Sequence, residues 1–153
     1  MPSRSRLVVG LAALGMTLLP ATSDAAPVPV DLGEVTSAVV REDVDMGAVL
    51  RQTLEQELPS VDMGGRPRPR PAILSVSLLQ MERAPSAASK ASVTCVISAT
   101  LRDKKRGAIV AVLEGRARAE NEERLVLLLE RAALKSAVRG ALARLPEALD
   151  ASR

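Results

Sequence analysis

The side chains in this chain that could do chemistry fall into three basic sets. Arg102, Lys104, Lys105 and Arg106 crowd into RDKKRG, Arg66, Arg68 and Arg70 alternate with proline in GGRPRPRP, and Arg124, Arg131, Lys135 and Arg139 recur along NEERLVLLLERAALKSAVRGALARLPEAL. A guanidinium fork pairs two-toothed with carboxylate or phosphate, so the chemistry on offer is recognition of anions, weakened as salt is raised. Bond-making chemistry has far less to work with. The chain contains no His, Trp, Tyr or Phe and a single Cys, Cys95. Without imidazole no Ser-His-Asp or Cys-His system can be assembled, and the usual general base near neutral pH is missing. One thiol and no imidazole cannot close a zinc site. Without rings there is no platform for stacking bases and no cage for a quaternary ammonium group. The sequence therefore predicts no catalytic residue, no metal ligand and no cofactor site, and single-stranded nucleic acid is not an expected partner.

The acids fit local structure better than catalysis. Asp43 and Asp45 stand where a helix N-terminus needs a cap, and too few oxygens follow for calcium. Glu120, Glu122 and Glu123 beside Asn121 read as another helix start, since acids favour the positive end of the helix dipole. No phosphate-loop glycine motif, dinucleotide fingerprint or S-x-x-K occurs.

The segments around these side chains carry clear periods. In MPSRSRLVVGLAALGMTLLPATSDAAP, Arg4 and Arg6 precede an apolar run from Leu7 to Leu19 and a small-residue exit at Ser23-Asp24-Ala25, the order of a secretory signal. Residues 1–25 are expected to be a signal peptide cleaved after Ala25, with 26–153 forming one domain. The apolar run is shorter than the roughly 20 residues a membrane span needs, so no span is expected after cleavage. The product should be exported, periplasmic or extracellular. A formal net charge of +3 is too small to name an anionic partner by itself.

Alternating apolar positions predict strands at about 34–40, 72–83, 91–102 and 108–119, mainly antiparallel. Met46, Leu50, Leu54 and Leu58 recur every four residues and predict a helix over about 44–58, ended by Pro59. A long helix is expected over about 121–145. The Pro/Arg-rich stretch 59–71 reads as an exposed connector, because proline removes backbone donors from any strand. RDKKRG joins two alternating segments through Asp103 and Gly107, so its four cations decorate a hairpin tip or contact a polyanion. On the long helix, Arg131 with Lys135 and Lys135 with Arg139 place like charges four apart, a small cost unless an acid partners them. Cys95 alternates with Val93, Ile97, Ala99 and Leu101, which makes it a buried small hydrophobe or a thiol that joins two chains.

This order, strand, helix, strand, hairpin and long helix behind an export signal, is similar to the small α+β domains of bacterial envelope proteins. The curli-secretion accessory lipoproteins and the penicillin-binding-protein activators are examples. The stretches that carry the resemblance are VREDVDMGAVLRQTLEQELPS and TLRDKKRGAIVAVLEGRARAE, and the chain departs from those families in having no Cys for lipidation. The resemblance implies a non-catalytic binding or assembly domain whose partner is a protein or an anionic envelope component. Two other readings stand beside it: a structural component that self-associates through a sheet edge or Cys95, and an enzyme that uses only carboxylates and Arg.

Overall fold

Two hydrophobic periods decide the architecture, and a computed structural model describes residues 30–63, 70–86 and 89–151 of it. Period-two segments form strands β1 (Val30–Ser37), β2 (Ala72–Pro85), β3 (Lys90–Asp103) and β4 (Ile109–Glu122). Segments with an apolar stripe at helical spacing form α1 (Met46–Glu57), α2 (Val126–Leu142) and α3 (Leu145–Ala151). The strands make one mixed sheet in the order β1-β2-β3-β4, with β1 parallel to β2 and the other neighbours antiparallel. The helices lie on one face, so this is a two-layer α+β domain. Leu74, Val76, Leu78, Val93, Cys95, Ile97 and Leu101 point into the core from the sheet, and Leu50, Leu54, Leu134, Val138 and Leu145 close it from the helices. On the opposite face Ser77 meets Thr36, hydroxyl to hydroxyl at 2.8 Å.

Two local features seat the layers. Gly115 on β4 lies directly beneath α2: a Cβ there would stand 2.0 Å from the carbonyl oxygen of Ala137. The helix backbone rests on the strand at this point, and glycine is what permits it. In β2 the pairing register shifts between Leu78 and Gln80. Ahead of that bulge Ala72, Leu74, Val76 and Leu78 face the core, and after it Met81 does. One inserted residue reverses the parity of everything beyond it, which also turns Arg83 toward the helices.

The expected elements are present with shifted borders. β1 begins at Val30 and ends at Ser37 instead of spanning 34–40, because it pairs with β2 from Ala72 to Leu78; Val40 lies outside the strand, 86% exposed. Asp45 caps α1, accepting from the N–H of Ala48 at 3.0 Å, and Pro59 sits in the 3₁₀ turn Leu58–Ser60 that ends it. The long helix over 121–145 is a correction in two respects. β4 runs through Asn121 to Glu122, paired with β3 down to Lys90, so strand pairing overrides the capping signal at Asn121. α2 then stops at Leu142, and Pro146, which has no N–H to offer a preceding turn, lies inside the separate α3. Ile109, four residues ahead of the buried Leu113 and so on its face by simple alternation, is 62% exposed, since the register shifts between Leu101 and Arg102. Residues 1–25, and with them the expected signal peptide, lie outside the described residues, as do Arg66 and Arg68 of the connector. Among the described residues no helix is long and apolar enough to cross a membrane.

Candidate functional site

Two glutamates sit inside the helical layer, one toward each end, and each meets two cations. Glu57 ends α1, on the same side of the helix as Leu50 and Leu54, and is 7% exposed. A carboxylate there faces the negative end of the helix dipole and needs a cation. Arg139 donates from Nε to Oε2 at 2.5 Å and from a terminal nitrogen to Oε1 at 3.4 Å, and Lys135 stands 3.2 Å from Oε1. The Arg139 guanidinium holds the Glu57 carboxyl below its ordinary range, with Lys135 adding to it and burial opposing both. Both oxygens are engaged, and the cluster ties α1 to α2.

Glu130 is arranged differently. It lies on the buried face of α2, four residues ahead of Leu134, with its side chain 10% exposed. Arg41, in the segment between β1 and α1, donates from a terminal nitrogen to Oε1 at 2.8 Å, and Arg83 donates from Nε to the same oxygen at 2.8 Å. The hydrogen bond to Glu130 raises the affinity of Arg83 for its proton, so that charge is fixed. Nε of Arg41 is buried and has no hydrogen-bond partner among the described residues. An unmatched buried donor costs about 1–3 kcal/mol.

This cluster forms one wall of a cleft of about 420 Å³, a volume in the range of ligand sites. The other walls are aliphatic: Val44, Met46, Val49, Met81, Leu127 and Leu134. Arg131, Glu42 and Asp43 also line it. Val44 and Leu127 are 45% and 67% exposed, and Val40 lines a neighbouring concavity with Val44. The charged lining is balanced, with Arg41, Arg83 and Arg131 against Glu42, Asp43 and Glu130, so the cleft offers an occupant aliphatic contact with polar groups of both signs to orient it.

The basic sets divide accordingly. Of the helix set, Lys135 and Arg139 close on Glu57, the acid that relieves their mutual repulsion. Arg131 lines the cleft and makes no ion pair among the described residues. Arg124 precedes α2, in the 3₁₀ turn Glu123–Leu125, and pairs with Glu122. The four cations therefore do not act as one stripe.

At the hairpin tip Asp103 accepts from the N–H groups of Lys105 and Arg106 at 2.8 Å each, and Gly107 takes φ +69°, a turn that fixes the loop. The N–H of Arg106 is the largest influence holding the Asp103 carboxyl below its usual range. Lys104 pairs with Asp31 at 2.5 Å. Arg102, Lys105 and Arg106 are exposed, and Arg70 from the connector lines a shallow concavity with Lys105, Arg106 and Asp103. Cys95 is fully buried, and burial pushes its thiol up to about 12, so in the folded chain it cannot join two molecules.

The sequence reading missed Arg41, Arg83, Glu57 and Glu130. A signal existed for the glutamates: each falls on the apolar face of its helix, Glu57 three residues after Leu54 and Glu130 four before Leu134. No comparable signal marks Arg83, which reaches the core side only through the bulge in β2.

No family model and no curated protein matches the chain. Solved structures share its fold. A protein from Xanthomonas campestris of the family model DUF330 aligns over 78% of this chain and 83% of its own, with 12% identity and a TM-score of 0.58. A hypothetical protein from Chlamydia trachomatis aligns over 80% and 98%, with 10% identity and a TM-score of 0.54. A minor lipoprotein from Acinetobacter baumannii aligns over 73% and 90%, with 11% identity and a TM-score of 0.50. At such identities the likeness is one of fold, and it is the fold of small bacterial α+β domains, a mixed four-stranded sheet with helices on one face.

Proposed function

We propose that this protein is an exported, non-catalytic binding module of the bacterial cell envelope, periplasmic or extracellular, and that it binds through the cleft beside Glu130. The observation that carries the reading is the cleft itself, where aliphatic walls surround guanidiniums with a buried, unmatched donor on Arg41. The leader-like N-terminus and the fold shared with a lipoprotein support the envelope setting, and the absence of His supports the non-catalytic part of the reading. Affinity capture from envelope extracts at two salt concentrations tests it. A retained partner that is lost from a Leu127→Ser, Arg131→Glu variant supports the reading. The same catch from both proteins, or turnover of an envelope substrate abolished by one Asp or Glu change, refutes it.

A second reading, self-association, has one observation in its favour: β4 is a 14-residue edge strand. Glu114, Arg116, Arg118 and Glu120 project from it as exposed charges, which oppose indiscriminate edge pairing. Light scattering at high protein concentration separates a monomer from an assembly.

A further inference from the structure

Resting on self-association, the second reading above, we infer that the edge of β4 is covered by the β4 of a second copy, antiparallel and centred on Gly115. β4 ends the sheet, with β3 as its one strand neighbour among the described residues. On the face away from the helices it presents Val112, Glu114, Arg116, Arg118 and Glu120, all exposed. A two-fold axis that keeps both sets of helices on one side places residues equally far from the centre opposite each other, on the same face. Centred on Gly115, Glu114 meets the second copy's Arg116, and Arg116 meets its Glu114. Val112 then stands opposite Arg118 and Val110 opposite Glu120, so no like charges face each other. Moving the centre by one residue sets Glu114 or Arg116 against its own copy. Moving it to Ala117 sets Arg116 against Arg118 and Glu114 against Glu120, and like charges directly opposite destabilise a sheet. The charges that oppose indiscriminate pairing admit this register.

Two further observations favour the same centre. Glu114 and Arg116 make no ion pair among the described residues, whereas Arg118 approaches Glu120 at 3.7 Å and Glu122 holds Arg124. A register centred on Ala119 would match Arg118 to Glu120 and Arg116 to Glu122, but it draws on acids already engaged. It also ends at Glu122, where β4 gives way to the turn Glu123–Leu125. In the helical layer α2 packs on β3 and β4, so joining two β4 strands about 4.8 Å apart brings the α2 helices of the two copies side by side. Ala132, Ser136 and Gly140 recur every four residues along α2 and are exposed. Gly140 lines a concavity of about 360 Å³ with Glu114, Gly115, Arg116 and Arg144, which sets this flank beside the free edge. A Cβ built on Gly140 meets nothing within 4 Å. A flank without bulk suits a second helix whose axis lies about 8–10 Å away.

The test is sedimentation and light scattering of the purified protein across a concentration series, read by refractive index because Trp and Tyr are lacking. A dimer is expected. Glu114→Arg and Arg116→Glu each turn both central pairs into like charges, and each should raise the dissociation constant at least about tenfold. Carried together they exchange the charges, and the dimer should return. All three change exposed side chains, so thermal unfolding of the monomer should stay at the parent temperature. Val112→Cys and Arg118→Cys in one chain should be joined between copies by a short bismaleimide, since the two positions stand opposite each other about Gly115 and the buried Cys95 does not compete. A dimer indifferent to the single changes, not restored by the exchange or not joined through 112 and 118 overturns this register and leaves self-association standing. A monomer at every concentration sinks self-association itself, and with it the inference. A monomer that captures an envelope protein, lost on Glu114→Arg, gives the edge to a different partner and overturns the inference as well.

Discussion

Glu57 and Glu130 are the same device used to opposite ends. Each is a glutamate on the inner face of a helix, each is nearly enclosed, and each is met by two cations. At Glu57 both oxygens are engaged, Arg139 and Lys135 come from the neighbouring helix, and the outcome is a clasp between α1 and α2. At Glu130 one oxygen serves two guanidiniums from elements far apart in sequence, a donor is left over, and a cleft opens beside it. A buried carboxylate does not in itself mark function. Room beside the cluster does not separate the two ends, since Glu57 and Arg139 also line a concavity of about 480 Å³; the donor left without an acceptor on Arg41 does.

The largest expected effect removes both clusters at once. Gly115→Val would drive a side chain into the carbonyl of Ala137, so α2 could not seat and neither glutamate could reach its partners. The expected loss exceeds about 3 kcal/mol, the upper end of ordinary overpacking, seen as a collapsed urea midpoint or as no folded protein. A variant of parental stability would mean that α2 does not rest on β4.

Glu57→Gln sharpens the contrast. The folded carboxyl titrates below its ordinary 4.5, so its stabilisation is complete above that pH and disappears as pH falls through the folded value. Loss of about 1–2 kcal/mol is expected at pH 7, less than the roughly 3–5 kcal/mol of a fully buried pair, because Lys135 and Arg139 are 49% and 62% exposed. Urea melts at pH 7 and pH 3 should show parent and variant converging in acid. The same variant should leave capture of an envelope partner through the Glu130 cleft unchanged, and a large change there would break the separation drawn between the two ends.

Lys104→Ala removes a pair whose members are 53% and 61% exposed, so stability should move by less than about 0.5 kcal/mol in a thermal melt. Cys95 should show no effect at all. With a fully buried thiol pushed up to about 12, it should resist a thiol reagent at pH 8 until denaturant is added, and mobility should match on reducing and non-reducing gels. Rapid labelling of the native protein would return the disulfide route to self-association.

Much of the fold was legible because alternation and helical stripes are local: Leu74, Val76 and Leu78 announce a strand, and Met46, Leu50 and Leu54 a helix, with no knowledge of what they touch. The hairpin at RDKKRG was legible through Asp103 and Gly107 for the same reason. The end of β4 was not, since Asn121 and Glu122 carry capping chemistry and stay in the strand only because Ala91 and Lys90 are there to pair with them. The cleft was the least legible part. Two of its walls are side chains whose direction depends on a bulge and on helix packing, neither of which leaves a mark at the residues concerned.

The amino-acid sequence by itself determined the periods, hence the elements and their buried faces, and through its missing imidazoles and rings it determined which chemistries are out of reach. Only the tertiary structure decided which cations are occupied and which have donors to spare. The physical reason is that an ion pair is a matter of a few ångströms between chain-distant groups: Arg41 to Glu130 spans 89 positions in sequence and 2.8 Å in space. No local pattern encodes that coincidence; the bare Cα of Gly115 lets α2 seat with Glu130, and the bulge at Leu79 turns Arg83 toward the same glutamate.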